Sequence, residues 1–156
     1  MRENKMDVKV LRDIPPWEWP EGAGKMFLDI LREPQAAEGD RLVAAELAGD
    51  FTVINDELVD VLLSVLCSGD EPEKLRGQAA ISLGPVLEHA DIHGFKEADD
   101  APIAERTFHR IQASLRKLYM DGGVPKDVRR HILEGSVRAP QKWHREAVHA
   151  AYGSDD

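Results

Sequence analysis

His89 and His93 stand four residues apart, with Glu88 and Asp91 beside them. On a helix that spacing presents two imidazoles to one point, which is how a metal is gripped. A closed site needs further donors, and the neighbourhood supplies no convincing third ligand. Asp91 and Gly94 mark a helix that is ending. The plainer chemistry is therefore histidine near the negative end of a helix dipole. Cys67 is the only cysteine, so no internal disulfide can form. Its neighbours Ser68, Gly69 and Asp70 offer neither a base nor a positive field to generate a thiolate. A small buried thiol is the expectation. No Ser/His/Asp order or zinc-type cysteine pattern is visible. Gly22-Ala23-Gly24-Lys25 is too sparse in glycine, and follows no strand, to cradle a phosphate. The sequence assigns no catalytic residue, no metal and no cofactor.

Cations carry more. Arg41, Arg76 and Arg129 each fall near the start of an expected helix. They read either as an anion-binding column or as a structural ladder with turn acids such as Asp70 and Asp121. Bidentate arginine–carboxylate pairing favours the ladder. A second set lies between Arg106 and Arg145, where ten basic residues face three acidic ones. Within it, Arg106, Arg110 and Lys117 share one helical face within about 40°. Arg129 and Arg130 sit on the next helix, and Lys142 and Arg145 on the last. These seven residues are the candidate binding surface, and an acidic protein segment is its first candidate partner. Nucleic acid fits less well, because residues 1–100 carry a net charge of −12 and no aromatic-rich reading surface accompanies the cations.

The elements that must hold these groups are helices. Asp56–Leu87 reads as two amphipathic helices around a Gly69-Asp70-Glu71-Pro72 turn. In the first, Leu58, Val61, Leu62, Val65 and Leu66 form an apolar arc, and Asn55 is its N-cap. In the second, Leu75, Ala79, Leu83 and Val86 share a face, and Pro85 should bend it. Around this core lie a pair near 21–32 and 35–49, a long helix over 103–120, one over 126–138, and a last one from Pro140. Phe108, Ile111, Leu115 and Leu118 form the apolar face of the long helix. Residues 1–13 read as a loose end, 14–20 as an extended segment whose Trp17 and Trp19 cover the first hairpin, and 89–102 as an acidic loop. No strand pattern appears.

The spacing of these helices resembles the HEAT-repeat pattern. Asp70 followed by Leu75-Arg76 and Ala79 matches it closely. Asp121 with Val128-Arg129 matches with a longer turn and Ile132 in place of alanine, and Asp40-Arg41-Leu42 matches less well. The resemblance implies an all-α, right-handed superhelix (a HEAT-like solenoid) of about three and a half helical hairpins. Residues 1–20 form its N-terminal extended capping segment, and 21–156 its repeat domain. HEAT-like arrays usually bind proteins, so the resemblance implies a non-catalytic scaffold that holds a protein or peptide on one face. Some HEAT-like proteins are enzymes, including bilin lyases and DNA alkylation-repair glycosylases. That class is the alternative, together with a nucleic-acid module using residues 106–145. The last helix, with Trp143, Ala147 and Ala150, would need a cover. A longer array or self-association would supply one. The single cysteine and the lack of an apolar leader or membrane-spanning run fit a cytoplasmic protein.

Overall fold

Buried hydrophobics spaced three and four apart dictate the helices that form. The computed structural model describes residues 7–95 and 102–136. Among these every regular element is helical. Helices α2 (Ala23–Arg32) and α3 (Glu38–Ala48) make the first hairpin, and Pro34 in their turn keeps them apart. Helix α4 (Asp56–Cys67) is capped by Asn55, whose side-chain oxygen accepts the Leu58 amide at 2.8 Å. It returns through α5 (Glu73–Ser82). Helices α7 (Glu105–Met120) and α8 (Lys126–Ser136) make the third hairpin.

The hairpins pack in chain order. First helices α2, α4 and α7 contact one another in sequence, and so do second helices α3, α5 and α8. Neighbours within each layer run in the same direction where bonds join them. The Ala104 amide donates to Asp56, and Arg110 pairs with Asp60, so α7 runs in the same direction as α4. In the other layer, Arg41 binds Glu71 at one end, while Ser82 Oγ donates to the Ala45 carbonyl (2.7 Å) at the other. The middle hairpin is therefore covered on both flanks. Val59 and Leu63 are buried along with the expected arc of α4. Leu75, Ala79, Leu83 and Val86 are buried as their spacing predicts.

Two small residues set how closely the second layer packs. A Cβ on Gly77 would lie 2.6 Å from Nδ1 of His131 on α8, and one on Gly49 would lie 2.5 Å from the Ser82 carbonyl oxygen. Side chains at these positions would push the helices apart.

Several expectations need correcting. Pro85 does more than bend its helix: without an amide hydrogen to give Ile81, it splits the segment into α5 and a separate α6 (Gly84–His93). The acidic loop accordingly begins later than residue 89, because α6 runs to His93 and stops at Gly94, whose φ is +67°. Helix α6 packs against α8 and accounts for much of the long spacing from Arg76 to Arg129. Residues 8–11 are not loose. They form α1 (Val8–Leu11), capped by Asp7, with Val8 and Leu11 buried against the core. A single 3₁₀ turn, Pro16–Glu18, interrupts the extended segment. Trp19 is pinned, its indole N–H shared between the Leu11 and Ile14 carbonyls and its ring edge-on to Phe27. Trp17 is not covered; it is 78% exposed. The expected last helix, with Trp143, lies outside the described residues.

Candidate functional site: arginine clamps and a split basic surface

A helix leaves its last four carbonyls without intrahelical donors. In each hairpin an arginine answers that need from the same place. Arg41 donates to the Leu31 carbonyl (2.7 Å), Arg76 to Leu66 (2.9 Å) and Arg129 to Tyr119 (3.1 Å). The acceptor is the penultimate residue of the first helix in all three, and the arginine lies ten residues later. Arg41 and Arg76 are each 5% exposed. Such a buried guanidinium ties the two helices of a hairpin and presents little of itself to a ligand.

The ladder with Asp70 and Asp121 takes another form. Among the described residues Arg41 alone reaches the next hairpin, and its partner is Glu71, one residue beyond Asp70. The pair is bidentate at 2.6 and 2.8 Å. Arg41's hydrogen bonds hold the Glu71 carboxyl below the usual carboxylate range, against the opposing effect of burial. The same bonds raise the Arg41 guanidinium. Asp121 instead accepts the Gly123 amide within its own turn (2.8 Å). Arg129 adds a stacking contact, its guanidinium carbon 5.7 Å from the Tyr119 ring centre.

The proposed binding cations are divided between layers. Arg106, Arg110 and Lys117 belong to α7 and are exposed; Arg129 and Arg130 belong to α8. Arg110 is paired with Asp60 of α4, and Arg130 with Asp127 (3.4 Å). Arg129 is half-buried in its clamp. Arg106 and Lys117 keep the expected face on α7. Lys142 and Arg145 lie outside the described residues.

Cys67 is exposed rather than buried, because it falls on the solvent face of α4 in line with the exposed Asp60 and Ser64, while Val65 and Leu66 of the same turn are buried. Partial shielding of its sulfur raises the thiol, and Arg76 and Lys117 only partly offset this. The His89 ring lies edge-on to Phe51, centroids 5.1 Å apart. Among the described residues no group of three or more His, Cys, Asp or Glu side chains could hold a metal ion. Nor does any described helix have the length and apolarity to cross a membrane.

Sequence reasoning missed a cleft of about 490 Å³ where the N-terminal segment meets the ends of α3 and α5. Leu11, Ile14, Leu47, Ile81 and Pro85 give it apolar walls, and Glu46 and Asp50 stand at its margin. Five of its thirteen lining residues come from a segment expected to be loose or extended, so only the others could have signalled it. No family model, no curated protein and no solved structure matches this chain.

Proposed function

We propose that the chain is a HEAT-like, right-handed stack of helical hairpins acting as a non-catalytic scaffold, which holds a protein or peptide segment on one face. The observation that carries this reading is the arginine clamp, repeated at one structural position in three successive hairpins. Recurrence of a buried device at a fixed offset is what a repeat architecture requires.

The cytoplasm is the proposed setting, on the strength of the lone cysteine. An acidic segment remains the candidate for the Arg106 and Lys117 face of α7. A nucleic-acid module is less supported, since Arg110 and Arg130 already have carboxylate partners. The test is capture of a partner from lysate, followed by reconstitution with the purified partner and calorimetry. A stoichiometric complex is expected. A steeply salt-dependent shift of DNA or RNA, with no protein complex, would replace this reading with the nucleic-acid one.

A further inference from the structure

We propose that the cleft between the N-terminal segment and the ends of α3 and α5 binds a short apolar peptide carrying a lysine or arginine; this rests on the scaffold reading and adds to the α7 face a second site with its own ligand class. The cleft's walls are apolar, and one of them, Ile81, stays 38% exposed although it lies on the central and most buried hairpin. Two more of the large exposed hydrophobics adjoin the lining in sequence. Trp17 follows the lining Pro16, and Phe51 follows the lining Asp50. An exposed large hydrophobic on the wall of an apolar depression marks a contact surface rather than a solvated one.

Charge selects the partner. Glu46 and Asp50 line the cleft, and the exposed Asp13 and Glu18 belong to the stretch that builds its outer wall. Among the described residues the one lining cation, Arg12, is bound to Glu46 at 3.2 Å. Residues 1–100, which supply every lining group, carry a net charge of −12. An apolar segment with a basic residue would fill the walls and meet the acidic margin. An acidic segment would be repelled. The groups that shape the floor are already satisfied internally. The Trp19 indole is shared by two carbonyls, and Ser82 Oγ bridges Ala45 and Gln78. Recognition therefore rests on apolar contact and charge rather than on a fixed hydrogen-bond pattern.

The test is selection of a phage-displayed random 12-mer library on the full chain, followed by titration of the recovered peptides. The expected winners combine aliphatic or aromatic residues with Lys or Arg. Ile81→Glu should weaken them about tenfold or more. Glu18→Lys, at an exposed side chain of the outer wall, should weaken them several-fold without altering the melting temperature. Acidic winners that ignore Ile81→Glu but fail on an Arg106→Glu/Lys117→Glu variant would overturn the cleft and leave the scaffold reading standing. A library without winners would also overturn the cleft, while the reconstituted partner still decides the scaffold. A dimer that Ile81→Glu converts to monomer would assign the cleft to a second copy of the chain and overturn the peptide.

Discussion

Arg41 and Glu71 show how much one side-chain pair can govern here. Their side chains are 6% and 20% exposed, and they join consecutive hairpins. Removing one partner leaves the other charge stranded, so Glu71→Ala should cost about 3 kcal/mol at neutral pH, read as a lower urea midpoint. The pH dependence follows from the sign of the shift. Glu71 is held below its unfolded value, so its contribution is complete above about pH 4.3 and fades as pH falls through the folded value. The gap between wild type and Glu71→Ala should therefore narrow in acid. A gap that stays constant down to pH 2 would show that the pair does not stabilise the fold through ionisation. Cys67 illustrates the opposite situation, an accessible group with little reactivity. Its thiol is raised by partial shielding, so less thiolate is present at pH 7. It should label to one equivalent with a disulfide reagent, but more slowly than glutathione, and its rate should climb at higher pH than glutathione's does. Labelling faster than glutathione at pH 7 would contradict the assignment.

At the level of elements, close approach between second helices is the controlling quantity. Ala has the better helix propensity, by about 1 kcal/mol over Gly. Gly77→Ala should nonetheless destabilise by about 1–3 kcal/mol, because the new Cβ meets the base of the His131 ring as well as Nδ1. Adding His131→Ala should recover most of that loss. Gly49→Ala should destabilise similarly, and Ser82→Ala should not rescue it, since the nearest obstacle is the Ser82 backbone carbonyl. Thermal melts of the four variants check the pattern. These packings also show which features the sequence reveals. The spacing of Leu58, Leu62 and Leu66, or of Phe108, Ile111 and Leu115, announces a helix and its buried face. Val59 and Leu63 escape such reading, because periodicity assumes one covered side and α4 has two. Helix α1 escapes as well, since a single turn with Val8 and Leu11 buried is too short to show a period. The arginine column is visible as spacing, but its partners are mostly backbone carbonyls, which no sequence displays. The cleft was illegible for a related reason: it forms where distant segments converge.

For the whole molecule, contacts that run mainly between successive hairpins make stability a local property along the stack. Helix α1 touches α3, α3 touches α5, and α5 touches α8, so a disturbance at one end has to pass through every hairpin to reach the other. In helical-repeat arrays, the architecture proposed for this chain, stability is close to a sum of units and their interfaces, and opening occurs in separate cooperative blocks. Two core truncations discriminate this from a single cooperative globule. Leu62 is fully buried in the central α4, and Leu62→Ala should cost about 3 kcal/mol and lower amide protection in all three hairpins. Leu11 is equally buried, but in the terminal α1. Leu11→Ala should speed exchange in residues 8–19 and along α3, while α7 and α8 keep wild-type protection. Native-state hydrogen exchange resolved by residue makes the comparison directly. If Leu11→Ala loosened α7 and α8 as strongly as α3, the hairpins would be behaving as one indivisible core. The proposed stack of separable hairpins would then have to be abandoned.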